Sequence, residues 1–317
     1  MSFWPEGDRG FQEALRVLKD NTSSLDNAEV FPTASLGVLG DAGVLGWVIP
    51  REYGGSEFSG AELVEGYLQL ARACLPTTFV LTQRNAACQR FALSENEPLK
   101  AELLPQLVGS ARFVTVGISH LTTSRQHLSQ PAVRVKLAEG RIQLDGVVPW
   151  VTGAGQADWV LTGGSCEDGR QVLVALPMDS RGITVLPAQD LLALDSSQTA
   201  SIQLENVLVD EGLLVAGPVE GVMHSGGRGG TGSLGTSALA LGAASSSLER
   251  LAEEARNRPE LDEVLDLMTS EWEQVAGDVL SASGEAADSQ APELTNESLR
   301  QRSNSLVLRA AQAHLAA

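Results

Sequence analysis

EGRIQLDGVVPWVTGAGQAD, residues 139–158, carries the period of a half-buried strand and then breaks it. Ile142 and Leu144 alternate with Arg141, Gln143 and Asp145, and Gly140 and Gly146 supply turns. The run ends on Pro149, Trp150, Val151 and Thr152, where a large flat indole stands two residues from a hydroxyl and just ahead of Gly153 and Gly155. Such a segment can hold a planar ligand: an aromatic face stacks on a ring, a hydroxyl donates to a ring nitrogen, and glycines let backbone amides come close. Composition alone favours a plainer reading, a packing tryptophan at a strand end followed by an ordinary turn.

From Arg112 onward the apolar period is 2, with candidate strands at 113–119, 132–138, 141–151, 158–163, 171–177, 182–187 and 199–208. Short strands at this spacing predict a barrel or sandwich and not βαβ units. Before Arg112 the period is helical. The sequence predicts a helix around Phe11 to Leu18, one from Ala34 that stops near Gly43 to Gly46, an extended Trp47-Val48-Ile49 run into Pro50, and a turn at IPREYGG. A helix over 60–73, another over Thr77 to Phe91 after Pro76, and one carrying Leu99, Leu103, Leu104 and Leu107 follow.

Beyond Gly217-Pro218 the glycine run HSGGRGGTGSLG, 224–235, lacks the lysine and following hydroxyl of a phosphate loop and reads as a linker. Three helices come after it: Ala238 to Ala255, the stripe Leu261, Leu265, Met268, Trp272, Val275 and Val279, and a last one with Leu299, Leu306, Ala310 and Ala313 inward. The last helix has no Gly, Asn or Pro stop, so the bundle is expected to be incomplete at Ala317. The expected fold class is α+β in three parts: an N-terminal α-helical domain over 1–111, a middle β-barrel-like domain over 112–216, and a truncated C-terminal helical bundle over 217–317.

Composition excludes several functions. With 22 Lys and Arg against 40 Asp and Glu, the net charge of -18 argues against nonspecific binding to nucleic acid or an anionic membrane. No apolar run approaches the roughly twenty residues that span a bilayer, and the start MSFWPEGDRG lacks both parts of a signal peptide, so a cytoplasmic location is expected. Cys74, Cys88 and Cys166 lie in no CxxC spacing and read as reduced packing residues, and the four scattered histidines give no metal site. GxSxG, GxxxxGK[ST] and a GxGxxG after a strand are all missing, which leaves hydrolase, P-loop and Rossmann readings unsupported.

A helical part with IPREYGG, a β part with PWVTGAGQAD and a second helical part resemble, in order and spacing from about Ala34, the acyl-CoA dehydrogenase family of flavoproteins. LLPQLVGS at 103–110, LENVLVDEGLLVAG at 204–217 and LALGAASSSLERL at 239–251 are similar to further family segments. The resemblance implies FAD, with Trp150 over the isoalloxazine, Thr152 donating toward N5 and Val151 between them. The family's ALTEPxAGSD segment aligns onto 116–125, which makes Val116, Gly117, Ile118 and Ser119 flavin-facing backbone and Ser124 the serine that meets acyl-CoA. Here the chain departs from the family pattern: Ile118 stands at its threonine, Ser119 at its glutamate and His120 at its proline. A polar, self-capping turn is the alternative reading of 119–124.

The same resemblance implies α,β-dehydrogenation of an acyl thioester with hydride passing to flavin N5, hence an oxidoreductase of fatty acid metabolism. Its implied partners are an acyl-CoA-like substrate, an electron-transfer partner, and copies of itself in a dimer or tetramer. The family's diphosphate-binding arginine has no counterpart near Ser233 and Leu234, and Arg228 is the nearest substitute. No catalytic base is assigned, because no Glu occurs between Gly221 and Leu248 and Glu249, Glu253 and Glu254 read as solvated. The chain alone is therefore expected to be inactive. The competing readings are an oxygen-using oxidase or monooxygenase of the same architecture and a noncatalytic fragment.

Overall fold

Period-2 alternation becomes sheet. In the computed structural model, which describes residues 9–26, 30–122, 130–224, 234–284 and 294–317, one mixed sheet contains β1 (Val114–Gly117), β2 (Val133–Ala138), β3 (Arg141–Val151), β4 (Trp159–Ser165), β5 (Gln171–Pro177), β6 (Ile183–Val185), β7 (Ala200–Asp210) and β8 (Leu214–Val219). The order is β6-β7-β3-β2-β4-β5-β8, with β1 parallel to β4. Val133, Val135, Ile142, Leu144, Ile202 and Leu204 share one core, while Arg134, Lys136 and Arg141 stay outside. The apolar runs of β4 and β5 are buried through their middles, as central strands are. No α-helix falls between 130 and 208, where one 3-10 turn, Asp195–Ser197, precedes β7.

The chain divides into two compact units. One comprises Ser23–Glu57 and Val80–Thr231 and holds the sheet with α2 (Thr33–Asp41), most of α4 (Leu75–Ala92), α5 (Glu97–Leu103) and the single turn α6 (Ser119–Thr122). In this unit β3 is pinned against β7. Gly146 has φ +138°, and a Cβ there would lie 2.1 Å from the Ala132 carbonyl oxygen, so only glycine fits. Across from it the register slips, Asn206 takes φ +50°, and its N–H donates to Asp145 Oδ1 at 2.8 Å. Carbonyls of β8, the last strand of the sheet, are covered: Ser94 Oγ donates to Val215 at 2.6 Å and Asn96 Nδ2 to Leu214 at 3.0 Å.

The other unit comprises Met1–Thr22, Phe58–Phe79 and Gly232–Ala317 and is helical. It contains most of α1 (Arg9–Asp26), α3 (Gly60–Ala73), α7 (Leu234–Ala255), α8 (Asp262–Ser283) and α9 (Asn296–Ala316). Ser59 and Glu62 close a capping box that starts α3. The small residues of α7 let it approach α3 closely, and α8 is fixed to α7 by the Trp272 indole N–H on the Leu241 carbonyl at 2.9 Å. On α8, Val275, Ala276 and Val279 are buried, but Leu265 and Met268 only half so, as is Leu261 just ahead of the helix.

Several expectations change. Trp47-Val48-Ile49 is not extended: it continues the 3-10 turn Val44–Gly46, with Trp47 at φ -54°, ψ -42°. IPREYGG folds back over this run through Ser56 N–H to Gly46 O and Glu57 N–H to Ile49 O, which buries the apolar triplet without a strand partner. α4 starts at Leu75, with Pro76 in its first turn, where a missing N–H costs nothing. β8 was not expected, since LLVAGPV lacks alternation. Glu249 is not solvated but pairs with Lys19 and Arg72, whereas Glu253 and Glu254 are exposed. Burial pushes the Cys88 thiol up, which makes it a packing residue and not a nucleophile.

A Cβ on Gly242 would sit 2.6 Å from both Ala71 Cβ and the Leu68 carbonyl oxygen. Gly242→Ala sets a helix-propensity gain of about 1 kcal/mol against an overpacking cost of about 1–3 kcal/mol. Packing wins: urea denaturation should show a net loss of about 1 kcal/mol, and a gain would mean that α3 and α7 separate freely.

Candidate functional site

The site begins with a one-residue excess. Val148 pairs with Ile202 and Val151 with Ala200, so β3 takes three steps where β7 takes two. Pro149 and Trp150 occupy the excess. Trp150 sits at φ +56°, in the left-handed region, where a bulky residue carries strain of about 1–3 kcal/mol. Its neighbours Val148 and Val151 are fully buried, yet Trp150 itself is 52% exposed. The packing tryptophan that composition favoured is thus overturned: the bulge turns the indole out of the core.

Thr152 lies just past the bulge and is buried. Its Oγ1 is 3.3 Å from Thr199 Oγ1, which is 2.8 Å from Ser197 Oγ, so three hydroxyls form a chain under the strand end. The Gly153 N–H donates to the Ser197 carbonyl at 2.8 Å. Ser197 and Thr199 were missed in the sequence. The hydroxyl-rich run Ser196-Ser197-Gln198-Thr199 ahead of a strand was the signal, but only the pairing of β3 with β7 brings it to Thr152.

The second sequence segment arrives at the same place. Val116 and Gly117 end β1, and Ser119 Oγ donates to the Pro149 carbonyl at 3.2 Å, next to Trp150. Gly117 packs so tightly on β3 that a Cβ would lie 2.6 Å from Val148 Cγ1 and 2.9 Å from Val151 Cγ2. Its carbonyl accepts the Thr162 hydroxyl at 2.6 Å. Ile118 and Ser119 are half-buried. The polar-turn reading of this segment has its counterpart in α6, where the Thr122 hydroxyl donates to the Ser119 carbonyl at 3.2 Å. His120, at the position of the family's proline, is buried with Nε2 2.9 Å from the Gly163 carbonyl. Ser124, Arg228 and Ser233 lie outside the described residues, and Leu234 begins α7.

The chain has the acyl-CoA dehydrogenase fold. It superposes on a glutaryl-CoA dehydrogenase from Mycobacterium smegmatis, in complex with FADH2, with a TM-score of 0.80 over 98% of this chain and 85% of that one, at 19% identity. The dibenzothiophene monooxygenase TdsC from Paenibacillus sp. A11-2 matches with a TM-score of 0.76 over 96% and 83%, at 17% identity. The family model "Acyl-CoA dehydrogenase, N-terminal domain" matches residues 12–110. The probable acyl-CoA dehydrogenase YngJ of Bacillus subtilis (strain 168) is 25% identical over 259 residues, which cover 77% of this chain and 66% of that protein. Family model, curated relative and fold all point to the acyl-CoA dehydrogenase family, and the chain spans about two thirds of the length of that curated relative.

If Trp150 serves a site and not the core, its removal should leave the fold intact. Trp150→Gly relieves the left-handed strain and should leave stability unchanged or raise it by up to about 1 kcal/mol. A loss of about 3–5 kcal/mol, the usual result for a core aromatic, in thermal or urea unfolding would return the residue to a packing role.

Proposed function

We propose that this protein is a flavin-dependent dehydrogenase that binds FAD against Trp150 and acts on adjacent carbons of an acyl-CoA-like thioester. The observation that carries the reading is the strained, exposed Trp150, which follows the Pro149 carbonyl held by Ser119 and lies two residues ahead of the buried hydroxyl of Thr152. Strained residues persist where the surrounding structure over-determines them, and they cluster at ligand clamps. A bound flavin supplies a two-electron acceptor for hydride.

The chain's own residues fit that group. Trp150 offers a flat apolar face for the ring system, and Ser119, just past Val116 and Gly117, reaches the neighbouring Pro149 carbonyl. If Ser197 donates to Thr199 and Thr199 to Thr152, the Thr152 proton is left to point at an acceptor outside the chain. Because Thr152 is only 3% exposed, that acceptor has to make a close, water-excluding contact. Ser124 is assigned to the thioester ligand. Glu249 is engaged by Lys19 and Arg72, so it is not assigned as the base that takes the α-proton. An electron-transfer protein would reoxidise the enzyme. Association of copies through the C-terminal helices is in keeping with exposed Val264 and Leu267 on α8 and Leu308 and Leu315 on α9.

FAD titration of the purified chain, followed by flavin absorbance, tests the placement. Trp150→Ala should weaken binding about 3- to 10-fold, the worth of one aromatic stacking contact, and an unchanged affinity would sink it. Dye reduction with acyl-CoA thioesters tests the reaction. Acyl-CoA-dependent reduction supports the dehydrogenase, whereas oxygen uptake by the reduced protein with no thioester-dependent reduction identifies an oxygen-using enzyme of the same fold.

A further inference from the structure

We propose that the cavity at the start of α2 is a binding site for a small amphiphilic carboxylate; its wall includes neither Trp150 nor Thr152. It has a volume of about 320 Å³, at the low end for small-molecule pockets, and lies wholly within the sheet-containing unit.

Charge is the first argument. Arg84, on α4, is part of the cavity wall and is 1% exposed. One guanidinium nitrogen donates to the Leu45 carbonyl at 2.9 Å and to Asn85 Oδ1 at 3.1 Å, and the other terminal nitrogen donates to the Leu107 carbonyl. Its Nε is buried without a hydrogen-bond partner, and among the described residues no carboxylate pairs with it. A buried guanidinium without a counter-charge is costly. The cavity's other ionic groups do not supply one: Arg112, 54% exposed, holds Asp158 at 2.6 Å, and the second oxygen of Asp158 accepts the Phe113 N–H at 2.8 Å. Two cations against one anion leave this cavity positive in a chain whose net charge is -18. Thr33 opens α2 at the same wall, and Pro32 gives that helix end no side-chain cap, which adds partial positive charge.

Shape is the second argument. Phe31 and Phe113, edge to face with ring centres 5.2 Å apart, and Leu36 line the same space, so one anionic head is matched to an apolar body. An inorganic anion would leave these surfaces unused. Gly37 is also in the wall, and a Cβ on it would meet nothing within 4 Å, so the space extends to the helix backbone.

Isothermal titration of the purified chain with 3-phenylpropionate tests the site, with uncharged 3-phenylpropanamide and inorganic phosphate as comparison probes. The expected result is saturable one-to-one binding of the carboxylate, with the amide and phosphate each weaker by about tenfold or more. Arg84→Gln should weaken the carboxylate by a similar factor. Gly37→Leu, which fills the cavity and favours helix, should abolish binding while leaving the unfolding midpoint unchanged or raised. That second variant keeps the test decisive if Arg84→Gln fails to fold. Absence of saturable heat at millimolar carboxylate, equal binding of the amide, tighter binding of phosphate, or binding that survives Gly37→Leu would each overturn the proposal.

Discussion

The candidate site depends on one extra residue in β3. Between Val148 and Val151 the strand must absorb it without losing its pairing to Ile202 and Ala200, because both valines are fully buried and a slip of the whole strand would exchange core and surface faces. The excess is discharged locally, as a left-handed Trp150. Its strain of about 1–3 kcal/mol is small beside the cost of exposing several buried valines and leucines, each worth about 1.5–3 kcal/mol. The core therefore fixes the indole's exposure. No contact made by the indole itself is needed to explain it.

What surrounds Trp150 follows from the same pairing. Val151 opposite Ala200 sets Thr152 beside Thr199, and Ser197 closes the hydroxyl chain one turn before β7. On the other side, Gly117 lies too close to Val148 and Val151 to carry a side chain, so β1 runs tight against the bulge and brings Ser119 to the Pro149 carbonyl. The two segments that resemble flavin-binding segments of the family, thirty residues apart between Ser119 and Pro149, meet through ordinary sheet packing.

Much of this was legible in the sequence, and the misses have physical causes. The strands from 133 to 177 were readable because alternation and turn glycines agree; β8 was not, because its polar contacts come from Ser94 and Asn96, far away in the chain. Trp47-Val48-Ile49 looks like a strand because three large apolar residues in a row fit either a buried strand or a buried turn, and only the fold-back of Ser56 and Glu57 onto it chooses. Trp150 and Thr152 were read as a pair from their spacing and the resemblance, but local pattern could not show that one is exposed and the other buried. That difference arises in the register between two strands about fifty residues apart. Glu249 was read as solvated because the helix period put it on a charged face, and its cationic partners come from α1 and α3.

The polar residues in and after α4 show a further limit of pattern reading. Arg84, Arg90, Ser94 and Asn96 interrupt the apolar face of an otherwise ordinary helix and its exit. Each spends its donors on carbonyls far away in sequence: Leu45 and Leu107 for Arg84, Met223 for Arg90, Val215 for Ser94, and Leu214 with Gly212 for Asn96. Several of these acceptors lie at the ends of short turns or on β8, which pairs with β5 along one side only among the described residues. A side-chain donor there removes a desolvation cost of about 1–3 kcal/mol per group, comparable to the apolar contact that a leucine would have made at the same position. Such a rail of donors ties the early turns, α5 and the last strand into one unit. It also explains why a guanidinium can be carried into the interior at Arg84: carbonyls satisfy its terminal nitrogens, but carbonyl dipoles only partly offset a full charge. Part of the residual positive field reaches the cavity whose wall Arg84 shares with Phe31 and Phe113.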